Sequence, residues 1–163
     1  MTPADIRDPE PRDAESLADL WVALARGQQD HGSHLQAEQN RSRIRDLLAR
    51  YAATDRLLVA DTPSTTPAGE TDIVGFVMFR IRADEYEVDC KRGLVENLYV
   101  VPDHRGVGIG SDLLSAAEQL LRERGVDVVS LEAIAQNHAA RRFYRRHGYE
   151  PHRVEFEKSA EER

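Results

Sequence analysis

A single cysteine, Cys90, stands in 163 residues, so no disulfide can form within the chain. Lysine is nearly missing as well. Of 22 basic residues only Lys91 and Lys158 are lysine, against 29 Asp and Glu. The net charge of −7 argues against a nucleic-acid partner, because phosphates require a basic face. Many carboxylates with few lysines is an acidic, halophile-like composition, in which net charge supplies solubility. An arginine-rich, high-GC genome would give the same ratio. There is no run of eighteen apolar residues, so no membrane span is expected. The opening MTPADIRDPEPRD lacks the apolar centre of a secretory signal, and a cytoplasmic protein is the expectation. The six histidines show no tight ligand spacing, so no metal is expected. The length suits one domain over residues 1–163 with one core.

What is present is concentrated in two blocks. Residues 93–110 read GLVENLYVVPDHRGVGIG, an apolar strand entering a loop with glycine at 106, 108 and 110. The helical pattern SDLLSAAEQLLRERG comes directly after it. Such glycines let backbone N–H groups turn toward one point, and the helix adds its positive end. Arg105 brings a full charge beside them. The segment from Arg105 through Gly106, Val107, Gly108, Ile109, Gly110 and Ser111 therefore suits a pyrophosphate. A P-loop is excluded, since no lysine succeeds the glycines. A dinucleotide fingerprint starting at Gly106 and Gly108 needs a third glycine where Ser111 stands. The second block, residues 128–149, reads VVSLEAIAQNHAARRFYRRHGY.

The first block has R-x-x-G-x-G at Arg105, Gly108 and Gly110 after L-x-V at Leu98 and Val100. The second has N-x-x-A-x-x-F-Y-x-x-x-G-Y at Asn137, Ala140, Phe143, Tyr144, Gly148 and Tyr149. In this order and spacing the chain resembles the GNAT N-acetyltransferase superfamily, well over residues 56–158 and only by pattern before them. The resemblance implies an α+β fold: a mixed, mostly antiparallel sheet with a central β-α-β acetyl-CoA-binding crossover, flanked by helices. It implies acetyl-CoA as co-substrate, a small-molecule or protein amine as acceptor, and is compatible with a homodimer.

The elements are read from periodicity. A short edge strand is expected near residues 4–7 and a helix from Asp13, with Leu17, Leu20, Trp21 and Leu24 at helical spacing. A second helix is expected over about 35–52. Strands are expected at 56–61 and 72–83, joined as a hairpin with a flexible tip at 62–71. Phe76, Met78 and Arg80 should alternate against Val77, Phe79 and Ile81. After the glycine loop come a helix over 111–124, a strand over 128–135, a helix over about 138–147, and HRVEFEK as a closing strand.

Acetyl transfer to an amine needs the thioester held, its carbonyl polarised, the amine deprotonated and the leaving sulfur protonated. The backbone of Leu98 and Val100 can bond a pantetheine arm as a further strand would. The resemblance adds Asn137 as a cofactor contact, a strand N–H as oxyanion donor and Tyr144 at the thioester sulfur. A thiol and a phenol have similar ordinary pKa values, near ~8.5 and ~10, so Tyr144 suits a proton donor to sulfur. The alternative is a core aromatic. Glu96 resembles the glutamate of E-x-L/F-x-V in polyamine-type acetyltransferases and is the preferred base; regular alternation would put it on one face with Leu98. Glu132, five residues before Asn137, is the second candidate base. Cys90 lacks any sign of activation. The Arg141, Arg142, Arg145 and Arg146 strip could meet the 3′-phosphate of CoA. Against the enzyme stands a non-catalytic CoA- or acyl-CoA-sensing domain of the same fold, which needs neither Tyr144 nor Glu96.

Overall fold

The structure is a computed structural model that describes residues 4–63 and 71–161. Its frame is a five-stranded sheet in sequence order, β1 (Asp5–Arg7), β2 (Leu57–Pro63), β3 (Thr71–Ile81), β4 (Arg92–Val100) and β5 (Val128–Leu131). The first three pairings are antiparallel and β4 with β5 is parallel. Helices α1 (Ala14–Gln29) and α2 (Arg41–Ala53) lie between β1 and β2 in sequence; α3 (Ile109–Glu123) makes the crossover from β4 to β5, and α4 (His138–Arg146) comes last. The expected α+β architecture is therefore present. No described helix is long and apolar enough to cross a membrane.

Period-two alternation divides the core between the two faces of the sheet. Leu57, Val59, Phe76 and Met78 pack with Leu17, Trp21, Ile44, Leu48 and Tyr51 of α1 and α2. Leu58, Ala60, Val77 and Phe79 pack with Leu113, Leu114, Ala117 and Leu121 of α3. Each fully buried leucine contributes about 1.5–3 kcal/mol. Gly75 lets α3 come this close: a Cβ there would stand 2.8 Å from the Tyr99 carbonyl oxygen and 3.1 Å from Leu113 Cδ1.

Several expectations need correction. The second helix starts at Arg41 after a 3-10 turn over Glu38–Asn40, not at 35. β5 ends at Leu131 rather than 135, because its partner β4 pairs with it only through Val95. HRVEFEK forms no strand, and Val154 and Phe156 are 68% and 90% exposed. Most of the predicted hairpin tip, residues 64–70, lies outside the described residues.

Candidate active site

Glu96 is an extra residue in β4. Met78 pairs with Asn97 and Phe79 with Val95, so Glu96 has no opposite number. A bulge of this kind bends the strand and reverses the facing of the residues after it. Val95 and Leu98 accordingly both pack on the α3 face, whereas Glu96 reaches Tyr51 of α2 on the other. The expectation that Glu96 and Leu98 share a face is thus corrected: regular alternation fails at the bulge.

The bulge also marks where the sheet opens. β4 remains paired with β3 up to Gly75 opposite Val100, but its pairing with β5 stops at Val95 opposite Leu131. From residue 96 to residue 100 one edge of β4 has no strand beside it among the described residues. Leu98 and Val100 lie on this stretch, so their backbone groups can pair with an extended amide chain.

At the top of β4 the glycine loop takes the form its residues dictate. Gly106 and Gly108 have φ of 78° and 96°, a left-handed conformation that side chains disfavour. Gly108 caps α3 without any side-chain cap bond. Among the described residues the first bond into the helix is from the Asp112 N–H to the Gly108 carbonyl, and no N–H from 106 to 111 donates to a backbone carbonyl. Val107 is exposed, and Ile109, the first residue of α3, is buried. These free N–H groups, together with the helix N-terminus, could hold an anion. Arg105 is partly committed: its Nε donates to the Val100 carbonyl at 2.7 Å, and its guanidinium lies 5.4 Å from the Tyr99 ring centroid.

Helix α4 closes over the same end. The Phe143 ring lies 3.5 Å from where a Gly110 Cβ would stand. His147 Nδ1 donates to the Phe143 carbonyl at 2.7 Å, which leaves Nε2 to accept from the Ser111 hydroxyl at 2.9 Å. Ser111 therefore ties the start of α3 to the end of α4. Asn137 caps α4, its Oδ1 accepting from the Ala140 N–H at 3.1 Å. That leaves its amide donors for a ligand. The cap is a use its position before a helix would have suggested. Tyr144 packs with Phe143 and Tyr149 against the α3-side core. Burial pushes its phenol pKa upward, so it holds its proton at neutral pH. Among the described residues its hydroxyl makes no hydrogen bond.

On the opposite face the Tyr51 hydroxyl lies 2.8 Å from both Glu96 carboxylate oxygens, and Arg80 Nε donates to Oε1. Burial, then the Glu96 contact, pushes the Tyr51 phenol up to about 12. It is thus a donor to a carboxylate and not a base. Sequence reading missed this partnership, since Tyr51 and Glu96 stand 45 residues apart and no motif links them. Glu132 is exposed just past β5. Cys90 is pushed up by desolvation and by Asp89, the reverse of an activated thiol. Of the arginine strip, Arg141 donates to the Ala135 carbonyl and Arg146 lies over Phe143. No group of three His, Cys, Asp or Glu among the described residues could hold a metal ion.

The site thus has an anion cradle and a phenol on one face, a clasped carboxylate on the other, and an open strand edge between. Comparisons with known proteins bear on the family and the fold. The model of the acetyltransferase (GNAT) family matches residues 15–149. An aminoalkylphosphonate N-acetyltransferase of Salmonella typhimurium is 37% identical over 67 residues, 41% of this chain and 44% of that protein. The chain thus spans less than half of that relative. An uncharacterized N-acetyltransferase of Archaeoglobus fulgidus is 28% identical over 140 residues, 86% of this chain and 88% of that one. The solved structure of AAC(6')-Iy with the bisubstrate analog CoA-S-monomethyl-acetylneamine superposes with a TM-score of 0.69 at 18% identity, covering 97% of this chain and 99% of that one. That last likeness is one of fold.

Proposed function

The chain belongs to the acetyltransferase (GNAT) family, and from that premise we propose that it transfers acetyl from acetyl-CoA to a primary amine by direct attack in a ternary complex. The observation that carries this reading is on β4. A bulge at Glu96 and the end of pairing with β5 fall at one point, so the bare edge of β4 begins where the Glu96 carboxylate turns toward α2.

When bound, acetyl-CoA supplies an acetyl thioester. The N–H groups of residues 106–111 and Arg105 hold its diphosphate, and the free edge at Leu98 and Val100 takes the pantetheine amides. The amide of Asn137 gives a further donor. A strand N–H past the bulge polarises the carbonyl. Glu96 takes the proton of the acceptor ammonium, directly or through water, while Tyr51 and Arg80 fix its direction. The amine nitrogen bonds to the acyl carbon and gives up its second proton to water, the carbon–sulfur bond breaks, and Tyr144 gives its proton to the sulfur. Both protein groups then recover their starting states by exchange with water. The acceptor enters from the α1–α2 face, where Glu96 points; its class is a small-molecule or protein amine.

The test is thiol release from acetyl-CoA over a panel of polyamines, amino acids, aminoalkylphosphonates and peptide N-termini. Release with at least one amine, lost in Tyr144→Phe, is expected. Tight acetyl-CoA binding without release on any amine would replace the enzyme with a sensor.

A further inference from the structure

The sheet face toward which Glu96 points continues past the core. On β3, Phe76 and Met78 pack under α1 and α2, and period-two alternation puts Arg80 and then Arg82 on the same side. Leu94, which pairs with Arg80, is half-buried and belongs to neither core cluster, so the helices leave this end of the face uncovered. Arg56, just before β2, reaches the same place. Its guanidinium carbon lies 4.1 Å from the centre of the Tyr51 ring, whose hydroxyl bonds Glu96. Burial and Glu96 raise the Tyr51 phenol, and the charges of Arg56 and Arg80 both oppose them, so both cations stand close to that hydroxyl.

These arginines are largely uncommitted. Among the described residues the Arg80 side chain bonds only Glu96, through Nε; Arg56 uses only Nε, on the Thr54 hydroxyl at 2.7 Å; and the Arg82 side chain makes no bond. The Nη groups of Arg56 and Arg80 are left over, and a planar fork of this kind matches carboxylate or phosphoryl oxygens. Nearby acid does not cancel them. Asp84 is taken up by Arg92, and Glu85, Glu87, Asp89 and Glu132 are exposed, where salt screens them. A chain of net charge −7 thus gathers Arg56, Arg80 and Arg82 around one carboxylate where the acceptor enters. A polyamine meets repulsion there. An amine with an anion close to it meets opposite charge at both ends.

We propose that the acceptor is an amine bearing its own carboxylate or phosphonate, with the ammonium at Glu96, the anion on the forks of Arg56 and Arg80, and Arg82 adding charge beside them. This assignment rests on acetyl transfer at Glu96 and narrows the acceptor from any amine to a zwitterion, against the polyamine-type likeness of the Glu96 motif. Arg80 then serves both ends, Nε on Glu96 and Nη on the substrate anion, which keeps amine and anion a short linker apart.

Thiol release at saturating acetyl-CoA is measured on pairs matched but for the anion: glycine and glycinamide, β-alanine and β-alaninamide, 2-aminoethylphosphonate and ethanolamine, with putrescine as a dication. The anionic member should have the higher kcat/KM by about 10–100-fold, the worth of a charge-assisted hydrogen bond. Arg56→Gln should raise KM for the anionic member far more than it lowers kcat, and bring the ratio within each pair toward one. Arg82→Gln should do the same more weakly. A mere fold defect would lower both members together, so a ratio unchanged in both variants overturns the proposal. So does a wild type that turns over the neutral members or putrescine as well as the anionic ones. Preference in only the carboxylate pairs, or only the phosphonate pair, supports it and names the anion. If acetyl-CoA binds and no amine of any kind releases thiol, acetyl transfer itself fails and the zwitterion with it, a result distinct from turnover without charge preference.

Discussion

Near the β1–β2 edge Arg7 sits between two carboxylates; at the β4 bulge one carboxylate sits between Arg80 and Tyr51. The two clusters use the same chemistry to opposite ends. Arg7 bonds Asp13 at 2.8 Å and Asp61 at 2.6 Å, and both acids are almost fully buried, at 6% and 5% exposure. The triad pins β1, the start of α1 and β2 together across 54 residues of sequence, in a part of the sheet where the strands are paired. Glu96 is more exposed and stands where pairing with β5 has just stopped. A charge cluster in a closed sheet holds the fold, whereas one beside an opening is placed to meet a ligand. The difference lies in the backbone around the charges more than in the residues themselves.

The sharpest way to break that comparison is to remove one group from each half. Glu96→Gln should lower kcat by about 10²–10⁴, the usual worth of a proton-transferring side chain, while acetyl-CoA affinity and unfolding stay nearly unchanged. Steady-state kinetics alongside calorimetric binding would check this. Arg7→Met should do the reverse. It takes the shared cation away from two buried carboxylates and should cost about 3–5 kcal/mol in urea unfolding, with kcat per folded molecule retained. Equal loss of rate and stability in both variants would erase the distinction.

A smaller effect concerns acid. Burial raises the Asp13 carboxyl, but its bonds from Arg7 and from the Glu10 N–H outweigh that and hold it below the usual carboxylate range. A carboxyl with a lowered folded-state pKa contributes stability above its unfolded value, near ~3.9, and loses it as pH falls through the folded one. Unfolding curves between roughly pH 5 and 2 should therefore show a steep loss in the wild type and a shallower one in Asp13→Asn, which starts less stable. A parallel decline in the two proteins would remove Asp13 from the account. The smallest expected effect is ionic: if the excess of acid over lysine is an adaptation to salt, stability should rise in molar KCl, and superimposable melting curves would exclude it.

The sequence made much of this molecule legible because its signals are local. The helix after the glycines and the alternation of β3 each depend on a few neighbouring residues. The bulge at Glu96 was not legible, since no glycine or proline marks it and regular alternation was the natural reading. Its consequence, the opposite facing of Glu96 and Leu98, was lost with it. The short β5 was hidden for a related reason: VVSLEAIA has strand character throughout, but only its first four residues find a partner. HRVEFEK likewise reads as a strand and lacks one to pair with. The Arg7 triad joins residues too distant in sequence for any motif to announce it.

The central claim is that the N–H groups of residues 106–111 are free in order to grip the diphosphate of CoA. Amide NMR during titration with CoA, and separately with desulfo-CoA, measures it most directly. Large, saturable shifts at Gly106, Gly108, Gly110 and Ser111 with both ligands are predicted. Saturable binding that leaves those four amides unmoved would contradict it.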